Sequence, residues 1–102
     1  MNRIEYFESI SGIQYPKMLV DFFDHFLALK EIVDSSGKIF VKENQPENNH
    51  IIFEIQFTNK KAKDTCINLI SSCNGNILIY NRLIYINIIG LSVDNTIVIE
   101  LY

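Results

Sequence analysis

The chain has 102 residues, 48% of them hydrophobic, with nine basic and twelve acidic side chains for a formal net charge of −3. No linker or shift of composition divides it, and residues 1–102 read as one domain. Its apolar content excludes a disordered chain. The acidic balance opposes general affinity for phosphate backbones, which comes from Lys and Arg displacing counterions, so nucleic acid is not an expected partner.

A chain of this size buries roughly 65% of the surface its unfolded form exposes, so it depends on dense packing. Seven Phe and five Tyr supply large side chains for that purpose. The 18 Ile and 11 Asn against two Ala match AT-rich codons, as in an AT-rich bacterial genome or a virus or plasmid living in one. Glu5 and Glu8 stand where a signal peptide would keep an uninterrupted apolar stretch. The stretch from Ile77 to Leu91 is broken by Asn81, Arg82 and Asn87 and falls short of the ~20 apolar residues of a membrane helix. A cytoplasmic location without membrane contact is expected.

Ile4, Phe7 and Ile10, three apart and followed by Gly12, predict a short first helix. Pro16 then sits where the first helical residue tolerates a missing N–H, and the following residues keep a helical period. Leu19, Phe22, Phe23, Phe26, Leu29, Ile32 and Val33 make a broad apolar stripe, and Lys17, Asp21, Asp24, Ala28 and Glu31 line the opposite face. The helix should stop at Ser35-Ser36-Gly37, with Gly37 as a left-handed cap.

Lys38 to Glu43 alternates as a strand, with Ile39 and Val41 on one side and Phe40 between Lys38 and Lys42 on the other. A polar loop from Asn44 to Asn49 turns the chain back. Ile51, Phe53, Ile55 and Phe57 then give the clearest period of two, opposite His50, Ile52, Glu54 and Gln56. Thr58 or Asn59 can cap a second main helix carrying Ala62, Cys66, Leu69, Ile70 and Cys73 and ending at Asn74-Gly75. The remainder reads as a meander with turns at Asn81-Arg82 and Asp94-Asn95 and strands over Asn76 to Tyr80, Leu83 to Ile89 and Thr96 to Tyr102. Gly90 marks a bulge or a break. The expected fold is α+β, a mostly antiparallel sheet of about five strands with two main helices in the order (α)αββαβββ.

Residues able to carry chemistry are few. Cys66 and Cys73 on one helix are separated by about 10 Å of rise, beyond the ~7 Å reach of a disulfide, and their spacing fits no metal or redox pattern, so both are expected to be core residues. His25 follows Asp21 by one turn, which places an imidazole near a carboxylate. His50 starts a strand beside the polar loop and is expected to be exposed. No catalytic residue, metal site or cofactor is assigned. Lys60, Lys61 and Lys63 break a local rule, because they crowd the positive end of a helix dipole, and there they could meet an anion or an acidic partner.

The second face of the sheet is the most informative feature. With Ile51, Phe53, Ile55, Phe57, Ile97, Ile99 and Leu101 on one side, Phe40, Ile52, Val98 and Tyr102 point to the other. Helices on a single face would leave an apolar patch. Either the two main helices cover opposite faces, or the second face is an interface. The acidic helix face of Asp21, Asp24 and Glu31 could also present charge to a basic partner. Thr96 to Tyr102 is expected to be an edge strand open to strand addition. The leading expectation is a small non-enzymatic interaction protein that occupies another protein's surface, as inhibitors, immunity proteins and mobile-element accessory proteins do, with homodimerisation through the sheet. The alternatives are an anion-binding or catalytic module at Lys60 to Lys63 and a structural subunit of a larger assembly.

Overall fold

The computed structural model describes residues 16–102. The short helix expected over Ile4 to Ile10 lies outside the described residues.

Helix α1 spans Lys17–His25 and α2 spans Leu27–Ser36. Strand β1, Gly37–Gln45, leads through a single 3-10 turn at Pro46–Asn48 into β2, His50–Phe57. Helix α3 covers Lys60–Ser72, and β3 (Asn76–Ile79), β4 (Arg82–Leu91) and β5 (Thr96–Leu101) complete the chain. The five strands form one antiparallel sheet in the order β1-β2-β5-β4-β3. This is the expected α+β architecture, with the first main helix divided in two.

The division falls at Phe26, whose φ of −117° and ψ of 68° leave the helical region. The bend lets α1 pack beside β3 while α2 packs on β1, β2 and α3. A straight helix would follow only one of those directions across a twisted sheet. Gly37 is extended, with φ −140°, and is not the left-handed cap expected of it. It begins β1, where a Cβ would lie 3.2 Å from the Ile55 side chain and 3.4 Å from Val33 Cα. Close approach of α2 to the sheet, rather than a turn, requires glycine there.

The period of two on β2 decides which face is covered. Ile51, Phe53, Ile55 and Phe57 are buried, as are Ile97, Ile99 and Leu101 on β5 and Ile84 and Ile86 on β4. Leu19, Phe22 and Phe23 of α1, Leu29 and Val33 of α2, and Ala62, Cys66 and Ile70 of α3 join them in one core. At its centre Phe53 meets the rings of Phe22 and Phe23, with centroids 6.2 and 5.9 Å away. All three helices therefore lie on one face, and the possibility that they cover opposite faces is excluded for the described residues.

Two bulges shape the sheet. One lies between Val41 and Glu43 on β1, which ends the expected alternation and leaves Val41 exposed. The other lies between Ile88 and Gly90 on β4, where Gly90 sits against Val98, as its sequence position suggested. The β3–β4 turn is one residue earlier than expected. Its centre is Tyr80-Asn81, both at positive φ (49° and 63°), the conformation of a type I′ hairpin turn. Asn59 caps α3, its Oδ1 accepting from the Ala62 N–H at 2.9 Å.

Strand β5 is central, paired with β2 on one side and β4 on the other. This overturns the expectation that Thr96 to Tyr102 is an edge. The reason is topological: the last strand joins the β1–β2 hairpin to the β3–β4 hairpin. Among the described residues, β1 and β3 stand at the two ends of the strand order.

Candidate functional site

The face of the sheet turned away from the helices is the candidate site. Register places its residues. Phe40 of β1 is opposite Glu54, which is opposite Val98, and Ile52 is opposite Glu100. Beyond Glu100, Tyr102 lies beside Tyr85, each backbone N–H donating to the other's carbonyl at 2.7 and 3.1 Å. Their rings stack with centroids 5.3 Å apart. On β3 and β4, Leu78 pairs with Leu83 on the same face. Phe40 and Tyr102 are 42% and 45% exposed and Leu78 61%, so large apolar groups meet solvent across the whole width of the sheet.

Polar residues between these groups hold one another in place. His50 Nε2 lies 2.7 Å from Glu100 Oε2, and both side chains are about three-quarters covered. Asn87 Nδ2 donates to the Tyr102 hydroxyl at 3.1 Å and to Glu100 Oε1 at 3.4 Å. The hydrogen bond from His50, supported by Asn87, holds the Glu100 carboxyl below its usual range. Lys42 Nζ reaches Glu54 at 2.9 Å. Chemically this is a fixed network of donors and acceptors flanked by aromatic and aliphatic groups. Both cysteines lie on the helix side, so neither supplies a nucleophile to the histidine.

The structure places Phe40, Ile52, Val98 and Tyr102 together on this face, as their parity indicated. Asp21, Asp24 and Glu31 lie in the helix layer on the far side of the sheet and cannot share one flat contact with them. Two of those acids are already paired, Asp21 with Lys17 at 2.6 Å and Asp24 with Lys30 at 3.1 Å. His25 Nδ1 lies 2.8 Å from the backbone carbonyl oxygen of Asp21, whose carboxylate pairs with Lys17. Its ring packs edge-on against Tyr80 at 4.7 Å. His50, expected to be exposed, is partly covered because β5 brings Glu100 alongside.

The three lysines at the start of α3 are spread rather than gathered. Lys60 pairs with Asp64 at 3.1 Å, and Lys63 donates to the Ser92 carbonyl in the β4–β5 connection. Lys61 points to solvent. Cys66 is fully buried, and burial pushes its thiol up to about 12. Cys73 donates from Sγ to the Ile70 carbonyl, and both cysteines are free.

Sequence reasoning missed the His50–Glu100 pair and the Tyr85–Tyr102 stack. Each joins strands far apart in the chain, and only the β2–β5 and β4–β5 pairings bring their members together. The available signal was parity, since His50, Glu100, Asn87 and Tyr85 all occupy positions on the second face.

Among the described residues, the fold is an α+β domain with one layer of helices and a second sheet face that no described element covers. No family model matches the chain, and no curated protein or solved structure shows significant similarity to it. Among the described residues no helix is long and apolar enough to cross a membrane, and no group of three potential metal ligands converges.

Proposed function

We propose that this protein is a non-enzymatic interaction module that works by occupying a protein surface with the sheet face turned away from its described helices, either on another protein or on a second copy of itself. The observation that supports the reading is the composition of that face. It joins aromatic and aliphatic groups (Phe40, Ile52, Tyr85, Val98, Tyr102) to an internally hydrogen-bonded polar centre at His50, Glu100 and Asn87. Protein interfaces concentrate binding energy in aromatic anchors, and polar groups already partnered within one chain lose little when water is excluded. Small acidic inhibitors and immunity proteins act by such occlusion.

The test is the oligomeric state and the effect of one charge. Sedimentation of the unmodified chain across a hundredfold concentration range should show a monomer–dimer equilibrium, and Val98→Asp should shift it to monomer without changing the circular dichroism spectrum. A chain that stays monomeric, and whose Val98→Asp variant also captures the same proteins from a source lysate as the unmodified chain, would remove the proposal.

A further inference from the structure

A second feature lies on the helix side of the sheet, at the end where both hairpins turn. The first turn of α1, the β1–β2 connection and the β3–β4 hairpin enclose a cleft of about 410 Å³, within the ~300–1,000 Å³ range of small-molecule sites. Its apolar lining comes from Met18 and from Ile79 and Ile84, which belong to the margin of the core. Asn44 and Asn49, from the end of β1 and the β1–β2 connection, add polar residues to the lining.

The charges around the cleft are unequal in availability. Among the described residues Asp21 is the one acid lining it, and Lys17 takes that carboxylate at 2.6 Å, so this pair contributes little net field. Arg82 also lines the cleft, and among the described residues no carboxylate pairs with it. The first turn of α1 carries no acid to repel an anion. A guanidinium has a planar fork of donors that matches a carboxylate in two parallel hydrogen bonds.

Tyr80 completes the rim. The residue is 70% exposed, yet its ring is held on two sides, by the His25 ring in a T-shaped contact at 4.7 Å and by Lys17 Nζ 5.5 Å from the ring centre. An exposed aromatic ring fixed in place at the mouth of a cleft offers a flat wall at little entropic cost.

We propose that this cleft binds a small molecule made of a carboxylate on an apolar body, with the carboxylate on Arg82 and the body over Met18, Ile79 and Ile84 beside Tyr80. The site is independent of the sheet face and stands or falls without it.

The experiment compares phenylacetate with phenylacetamide, which share a body and differ in charge, on the full chain by methyl NMR. Phenylacetate should shift the Met18, Ile79 and Ile84 methyl signals saturably, and phenylacetamide should bind at least tenfold more weakly. Arg82→Gln should reduce the acid to the level of the amide, and Arg82→Lys should fall between. Because the acid and the amide are compared on the unmodified chain, a variant that fails to fold does not rescue the idea. Equal binding of acid and amide, no saturable shift at millimolar concentration, or shifts on the second sheet face instead would overturn it. Tighter binding of N-acetyl-glycyl-phenylalanine than of phenylacetate would assign the carboxylate to a peptide end and overturn the small-molecule reading.

Discussion

On β2, Ile52 and Phe53 are neighbours in sequence and belong to different worlds. Phe53 is fully buried, with the rings of Phe22 and Phe23 against it, and every atom of its side chain has left water. Ile52 faces the other way, half-buried between strand neighbours, and none of the described helices lies above it. Both residues are paired on either side by β1 and β5, with the β1 bulge falling between their partners. What differs is the second layer. The covered face gains its stability from side chains of α1, α2 and α3, and the uncovered face gains its order from cross-strand pairs within the sheet.

Truncating each of the two side chains in turn should separate the faces most widely. Phe53→Ala should cost about 3–5 kcal/mol, the range for deleting a buried aromatic side chain and leaving a cavity. Ile52→Ala should cost about 1 kcal/mol in the isolated chain, since the side chain is only partly removed from water. Urea denaturation at low and high protein concentration measures both. If the sheet face joins two copies, the Ile52→Ala deficit should grow with concentration while the Phe53→Ala deficit stays constant. Equal costs for the two substitutions would show that the faces are not energetically distinct.

The covered face was legible in the sequence because its signals are local. Alternation at Ile51, Phe53, Ile55 and Phe57 needs only eight residues of chain, and the apolar stripe from Leu19 to Val33 needs only the helical period. A cap at Thr58 or Asn59 was readable for the same reason, and the structure uses Asn59. The break at Phe26 was not readable, because the stripe continues through it and the bend answers to where β3 lies relative to β1. The central place of β5 and the His50–Glu100 contact were hidden for a related reason, since strand order is set by pairings between distant segments. The cleft needed three such segments at once. Parity could sort residues between faces but could not say which strands stand side by side.

A smaller effect tests how firmly the helix layer is attached. Asn59 Oδ1 accepts the Ala62 N–H at 2.9 Å, and α3 meets α2 and β2 through Ala62, Cys66 and Ile70. Asn59→Ala should cost about 1 kcal/mol, the usual value of a lost N-cap. It should also loosen the cover over Cys66, whose thiol is otherwise held inert by burial. In the native chain an alkylating reagent at pH 8 should label Cys73 well before Cys66, and in Asn59→Ala the lag should shorten in proportion to the lost stability. Cys66 labelling as fast as Cys73 in the unmodified chain would contradict the burial of that helix face.

The smallest effect belongs to the uncovered face and depends on pH. Glu100 is held below its usual range first by the hydrogen bond from His50 and then by Asn87. A carboxyl whose pKa is depressed on folding binds protons less well folded than unfolded. Its contribution is therefore complete above the ordinary carboxylate value of 4.5 and is lost as pH falls through the lower folded value. Stability from this group should be level between pH 7 and pH 5 and decline below. Glu100→Gln removes the titration, so its loss of stability from pH 5 to pH 3 should be smaller than that of the unmodified chain. The difference should lie within the ~0.2–1 kcal/mol typical of ion pairs in contact with water. If a second copy or a partner covers the face, the same pair is shielded from solvent and the difference should widen in the complex. Acid limbs that superimpose for the two proteins, free and bound, would mean that the His50–Glu100 contact contributes nothing in either state.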